Sequence, residues 1–442
     1  MDRSPDDLGR VSGADRRARC GHVELGDLIA PLIIFIATYL LIAVQRLPGV
    51  SLNRPAATLL GAVAMVTLGG LPLADAYRAI DLNVIVFLLG LLLMVEHLEV
   101  AGFFALTGRW LVRRARTPRR LLVAVVVVSG LLSAFFVNDT VCLVLTPILL
   151  SAIASLRVRP LPYLLALAMG SNAGSGLTFT GNPQNMLIGV WSRIGFARFS
   201  LHMLPVAVGA LAVTAAALLL IYRRDLPDQF PPHDELLEPL GNHPPDRPLI
   251  IKSLLLFGAM VVAWLAGASL PLAAIAAGAL MLALAQRDPA PVLARIQWSL
   301  LLFFAALFVV MRGLDWSGYL APLEEAAASA VVHGGPVAAA GAISGAMLIL
   351  SNLISNVPAV LLWQGIVPAL PHPEFAWEVL AMSATLAGNL LLIGSMANLI
   401  VAERAEAEGV TIGFGEYARA GVPVTVVSIA WGVVVLVVGA AG

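Results

Sequence analysis

Four asparagines set in polar breaks of an otherwise apolar chain are the residues best suited to chemistry. Asn138 lies in SAFFVNDTVCLVLTP (133–147) and Asn356 in SNLISNVPAVLLW (351–363). Asn185 closes SNAGSGLTFTGNPQN (171–185), and Asn398 closes TLAGNLLLIGSMAN (385–398). Asn138 and Asn356 are 218 residues apart, Asn185 and Asn398 213, so the chain carries one pattern twice. A side-chain amide donates and accepts, which suits a ligand bearing both oxygens and hydroxyls. Thr140, Ser351 and Ser355 add hydroxyls beside the first asparagine of each pair. Interruptions at matching places in two apolar halves point to a binding site within a membrane transporter.

The second break of each half is rich in glycine and small polar residues. In hydrocarbon every backbone polar group needs a partner, so a helix opens only where protein or water takes over its bonds. Gly174, Gly176 and Gly181, followed by Pro183, permit such an opening, and Gly388 and Gly394 repeat it. The freed helix ends offer amide donors to anions and carbonyl acceptors to cations. The side chains placed there are Asn172, Ser175, Thr178, Asn182 and Asn185, then Asn389, Ser395 and Asn398. A second reading stays open, in which small residues simply let helices pack closely. Asp139 is the one acid expected far from the ends of the spans. Inserting a carboxylate at that depth costs about 2.5–3.5 kcal/mol, which marks it as functional. It reads as a carrier of a coupling proton or cation, or as the cap of the helix that follows.

These residues need a bilayer around them. Of 442 residues, 59% are hydrophobic and 12% charged, with zero net charge, which excludes an ordinary soluble domain and gives no basis for a nucleic-acid partner. Cys20 and Cys142 are too far apart to argue for a disulfide. No zinc, HExxH or Walker A motif is present, so neither a metal nor another cofactor is expected. The first 25 residues lack the apolar run of a secretory signal. The expectation is a multi-pass protein of the inner (plasma) membrane, surrounded by lipid.

The fold class expected is an all-α polytopic inverted repeat of two five-span halves, each with a re-entrant helical hairpin and a broken helix. A polar tail covers 1–26. The first repeat covers 27–221, with its hairpin at 120–158 and broken helix at 161–190. A Pro-rich linker at 222–248 leads to the second repeat, 249–442, with hairpin 336–370 and broken helix 376–402. Each hairpin could also be two ordinary spans joined by a tight loop. Interfacial helices are expected at 102–118 and 314–334, with Trp110 and Trp316 at headgroup depth. Of the 27 Lys and Arg, 18 fall in loops that this topology makes cytoplasmic and four in loops on the far side, as the positive-inside rule requires. Five fall in the tail, which the topology places outside against that rule. Glu96, His97 and Glu99 read as an interfacial charge cluster, Cys142 as a small buried filler, and His202, His333 and His372 as loop or interface histidines.

FFVNDTVCLVLTPIL (135–149), SNAGSGLTFTGNPQNMLIG (171–189), SNVPAVLL (355–362) and AGNLLLIGSMANLIVAE (387–403) together resemble the ion-transporter superfamily. It includes arsenite permeases, sodium–proton antiporters, citrate transporters and divalent-anion/sodium symporters. The resemblance runs from about residue 27 to 440, and NDT followed by LTPI is most similar to the arsenite-permease branch. The first tip departs from the Ser-Asn-Thr of dicarboxylate symporters. The resemblance implies an elevator mechanism and a homodimer. The function expected is proton-coupled secondary transport of arsenite or a related small anion. A sodium-coupled anion or dicarboxylate symporter and a sodium–proton antiporter are the alternatives. An enzyme is not expected, because no nucleophile–base pair stands out.

Overall fold

The computed structural model describes residues 25–44, 46–47, 50–51, 53–230, 244–319 and 335–441. Nearly all of the polar tail, residues 231–243 of the linker, residues 320–334 of the second interfacial stretch, and His333 lie outside the described residues.

The first half contains α1 (Leu25–Val44), β1 (Arg46–Leu47), β2 (Val50–Ser51), α2 (Arg54–Thr67), α3 (Leu73–Ala79), α4 (Leu82–Val100) and α5 (Phe103–Arg114). It continues with α6 (Pro118–Phe135), α7 (Asn138–Leu156), α8 (Leu161–Ser175), α9 (Pro183–Trp191) and α10 (Phe196–Ile221). The second half contains α11 (Arg247–Leu265), α12 (Leu270–Leu284), α13 (Ala290–Arg295), α14 (Trp298–Trp316) and α15 (Gly335–Ile354). After it come α16 (Asn356–Leu362), α17 (Pro373–Ala387), α18 (Met396–Ala407) and α19 (Phe414–Ala441). Element for element, α1 to α4 correspond to α11 to α14. The α6–α7 hairpin corresponds to α15–α16, the broken helix α8–α9 to α17–α18, and α10 to α19. Pro205 of α10 and Pro423 of α19 share the 218-residue offset of the hairpin asparagines. The fold is an all-α polytopic inverted repeat. Among the described residues, β1 pairs antiparallel with β2, two residues each.

Several helices begin where a polar cap meets a proline. Thr117 precedes Pro118 and its Oγ1 accepts from the Arg120 amide at 3.2 Å. Asn182 precedes Pro183, and its Oδ1 accepts from the Asn185 amide at 2.9 Å. The cap satisfies one orphan amide, and proline occupies a position whose N–H had no partner.

The described residues within 1–81 and 302–323 form one compact unit, and those within 82–301 and 324–442 form the other. In the first, Met65, Leu71, Ala76, Ala306 and Val310 make a core against which Ile34, Phe35 and Trp316 pack. Gly313 lets the Met65 side chain approach, since a Cβ there would lie 2.5 Å from its sulfur. Ile29, Ile33, Ile36 and Leu40 of α1 are exposed along one stripe.

The second unit contains α6, α8, α10, α17 and α19.

 The GSNAG run of α8 lies flat on α6: a Cβ at Gly174 would fall 2.2 Å from the Gly130 backbone, and one at Gly170 2.9 Å from Val126. Close packing by small residues and opening of the helix are therefore both present, divided between positions. Gly170 and Gly174 pack within α8, whereas Gly176 caps its end and Gly181 sits in the break. The first hairpin has arms of 18 and 19 residues; those of the second are unequal, 20 and 7. Val137, Asn138 and Asn356 are buried, so both tips end inside protein, as a re-entrant hairpin requires.

Candidate functional site

The first hairpin tip is tied to the first helix break through main chain and side chain. The Asn138 amide donates to the Gly181 carbonyl at 2.9 Å. Thr178 Oγ1 donates to the Ala134 carbonyl near the end of α6, and Thr180 Oγ1 reaches the same carbonyl at 3.3 Å. Gly181 is required here, because a Cβ would meet the Ser175 carbonyl at 2.1 Å and that of Ser133 at 2.7 Å. Asn185 Nδ2 donates to the Thr178 carbonyl at 3.0 Å, holding the far side of the opened loop. Ser175 Oγ donates to the Asn172 carbonyl at 2.8 Å.

A directed chain of amides joins the two broken helices. Asn138 Nδ2 donates to Asn172 Oδ1 at 2.9 Å. Asn172 Nδ2 in turn donates to Asn389 Oδ1 at 2.8 Å and Asn398 Oδ1 at 3.0 Å. Asn389 Nδ2 ends on the Met169 carbonyl at 3.1 Å, and Asn398 Nδ2 on the Gly388 carbonyl at 2.7 Å. A backbone carbonyl can only accept, so these two ends fix the orientation of every amide before them. Asn138 Oδ1 is consequently turned away from the chain, buried and without a protein partner.

The contacts between the broken helices are reciprocal. Asn172 of α8 accepts from Ser395 Oγ at 3.0 Å and donates to Asn398. Thr385 of α17 receives the Asn182 Nδ2 bond at 3.1 Å and lies 3.4 Å from Asn185 Oδ1. Adding 213 to 172, 182 and 185 gives 385, 395 and 398. Each half thus uses the same two positions to hold the other, as two copies do across a two-fold interface.

The second tip is built differently. Ser355, at the cap of α16, has φ 75 and ψ 159, a conformation almost confined to glycine. Asn352 Nδ2 donates to the Leu348 and Ala387 carbonyls at 2.9 and 3.1 Å, which leaves its Oδ1 unpartnered. Asn356 Oδ1 and Ser351 Oγ are also buried without partners. Gly388 and Gly394 bring the second break against this tip. A Cβ at Gly388 would meet Asn356 Nδ2 at 3.2 Å, and one at Gly394 would meet Asn352 Oδ1 at 2.5 Å. Three amide oxygens, of Asn138, Asn352 and Asn356, therefore stand as unused acceptors around the joined breaks. No Lys or Arg occurs in 121–156, 161–191, 335–370 or 373–402.

Asp139 is half-buried in the first turn of α7, where Val137 holds the cap position without a side-chain cap bond. Its carboxylate is therefore not the cap itself, though it lies at the positive end of the helix. Thr140 is buried one residue further on. Among the described residues no cluster of His, Cys, Asp and Glu is arranged to hold a metal.

The citrate transporter family model matches residues 39–387. The chain belongs to the citrate transporter family. Like that family, it is a multi-pass membrane protein and a secondary transporter. The silicon efflux transporter LSI3 of Oryza sativa subsp. japonica is 31% identical, with 93% of this chain and 98% of the relative aligned. The inner membrane protein YbiR of Escherichia coli is 33% identical over 73% of this chain and 79% of its own. The solved structure of Neisseria gonorrhoeae MtrF shares the fold, with a TM-score of 0.55 at 15% identity, covering 95% of this chain and 96% of that one.

The structure changes several expectations of this citrate transporter family member. Asp139 is half-buried, whereas Glu96 on α4 and Glu378 on α17 are buried. Glu96 and His97 are enclosed by protein, and Glu99 lies 3.7 Å from Arg295. His202 is in the second turn of α10, paired with Glu378, and so is not a loop histidine. Cys142 is fully buried, with Sγ 3.2 Å from Ser171 Oγ. Thr385 and Asn352 escaped the reading of the sequence. The 213-residue offset from Asn172 would have found Thr385, whereas Asn352 has Ala134 at its counterpart and carries no repeat signal.

Proposed function

We propose that this transporter exports a small, uncharged hydroxy acid of a metalloid, such as arsenous or silicic acid, in exchange for protons. The observation that carries this reading is the set of unused acceptors at Asn138, Asn352 and Asn356, in a site without Lys or Arg. Buried acceptors need donors, and leaving each unmade costs about 1–3 kcal/mol. The hydroxyls of a neutral oxyacid supply those donors, whereas a dianion would face amide oxygens with no cation to offset its charge. The name of the LSI3 relative, a silicon efflux transporter, supports both the substrate class and the outward direction.

In this reading the substrate contacts Asn138, Thr140, Asn185, Ser355, Asn356 and Asn398, and Asp139 carries the proton. The hairpins and broken helices move together as an elevator against the remaining spans, in a homodimer. These two features rest on the family resemblance. A second reading is favoured by the family's description as citrate transporters. The same amide oxygens would then hold sodium ions, and the cations would receive citrate. Uptake into inverted vesicles separates the two. Arsenite, antimonite, silicic acid, sulfate, succinate and citrate are offered with a proton gradient, a sodium gradient or neither. Accumulation of arsenite or silicic acid driven by the proton gradient is the expected result. Sodium-driven citrate uptake with no metalloid transport would replace this reading by the second.

A further inference from the structure

We infer that His202 and Glu378 form a proton-binding site joining the N-terminal ends of α10 and α17, separate from the amide chain. For its role in transport the inference rests on the proton-coupled reading above; proton binding itself does not.

The geometry is specific. Glu378 is buried and His202 partly exposed, with side-chain exposures of 8% and 43%. The imidazole Nδ1 lies 2.8 Å from Glu378 Oε1. One turn earlier on both helices, Arg198 and Glu374 make a second pair at 2.7 Å. The i, i+4 spacing of 198 with 202 and of 374 with 378 puts each pair of residues on one face of its helix. The two helices are thus joined by a ladder with one permanently charged rung and one titratable rung.

Charge accounting assigns the proton. Arg198 and Glu374 cancel, which leaves Glu378 as a buried carboxylate whose close partner is an imidazole. The other elements packed against α17 include α8, α9, α15 and α16, none of which contains Asp, Glu, His, Lys or Arg. Near its start α19 carries Glu416 and Arg419, and Glu416 is already engaged by Arg159 at 2.8 Å. Neutrality of the second rung therefore requires one proton, on the carboxyl or on the ring. Either location keeps the Nδ1–Oε1 bond. Removing the proton leaves an uncompensated buried charge, an arrangement that proteins tolerate poorly. Separation of α10 from α17 would let water in and make release favourable, so proton occupancy is linked to the approach of these helices.

The site also has a rigid connection to the amides. Glu378 and Thr385 are seven residues apart on α17, about 10 Å along the helix axis. Thr385 is the residue that contacts Asn182 and Asn185. A shift of α17 at the proton site therefore reaches the joined breaks directly.

Acid–base difference infrared spectroscopy on the purified full chain in liposomes tests proton binding without a substrate. A titrating band, of the carboxyl or of the imidazole, should be lost or shifted in Glu378→Gln and persist in Asp139→Asn. His202→Gln should move its midpoint by about one pH unit or more, and this variant also serves if Glu378→Gln does not fold. A band unchanged in Glu378→Gln, or a midpoint unmoved in His202→Gln, overturns the inference. In vesicles, Glu378→Gln should retain arsenite exchange at equal concentrations but lose at least tenfold in proton-driven arsenite accumulation; retention of wild-type accumulation would overturn the link to transport. If the wild type moves neither arsenite nor silicic acid, the substrate reading fails while the infrared result still decides the proton site.

Discussion

The two hairpin tips occupy equivalent places in the repeat and are held by opposite means. The first is tied by hydrogen bonds: its main-chain amide goes to Gly181 and its side-chain amide to Asn172, with an ordinary backbone at Val137. At the second, Ser355 takes a backbone conformation that costs about 1–3 kcal/mol, and Asn356 Oδ1 has no protein partner. The first also carries Asp139 where the second carries Val357. A repeat fixes position, but it does not fix chemistry. Both tips keep an unused amide oxygen, but the first is organised by its hydrogen bonds, while the second also holds backbone strain that a ligand can relieve.

The comparison breaks most completely at Asn172, the amide on which the first tip depends. Asn172→Ala strips partners from Asn138, Asn389, Asn398 and Ser395 together. At about 1–3 kcal/mol for each buried group left unpaired, the variant should unfold well below the wild-type temperature and show no transport. Thermal unfolding in detergent, read beside vesicle flux, checks both. Wild-type stability would mean that the amide chain is dispensable.

The charge difference between the tips gives the next largest effect. Asp139→Asn should leave the fold and substrate exchange intact while abolishing accumulation driven by the proton gradient, because an amide exchanges no proton in the relevant range. Accumulation in this variant with the pH dependence of the wild type would remove Asp139 from the coupling scheme. Backbone strain predicts a smaller and oppositely signed pair. Ser355→Gly should raise stability by about 1 kcal/mol, and Val137→Gly should lower it by a similar amount. Equal signs in a denaturation experiment would contradict the difference drawn between the tips. The smallest change is expected outside the breaks. Arg159 pairs with Asp225 and Glu416 at half-exposed positions, so Arg159→Gln should cost less than about 1 kcal/mol. A larger loss in the same measurement would make this surface cluster structural.

Much of the fold is legible because membrane helices announce themselves by apolar length, and the repeat by its offset. The break at 176–182 follows from glycines with Pro183 just after them, and that at 388–395 from Gly388 and Gly394, placed where an uninterrupted helix would have no use for them. Pairings across more than 200 residues are another matter. Asn172 stands out as polar, but its place at the centre of the amide chain exists only once Asn389 and Asn398 are brought to it. Glu378 and His202 each look ordinary on their own helices. Their pairing depends on how α10 meets α17, which local periodicity does not encode. The conformation of Ser355 was likewise hidden, since serine gives no hint of a backbone usually reserved for glycine.

The amide chain has a consequence for leakage. Hydroxyls and water can receive a proton on one side and release another from the opposite side; a neutral carboxamide whose NH2 ends on a main-chain carbonyl has no easy way to do so. The amide chain of Asn138, Asn172, Asn389 and Asn398 therefore offers a proton no relay of its own despite its many hydrogen bonds. A membrane potential acts on every elementary charge with about 2.3 kcal/mol per 100 mV, so a wire through this region would short-circuit the gradient. In the proton-coupled reading proposed above, the proton then crosses aboard a group that moves and not along this chain.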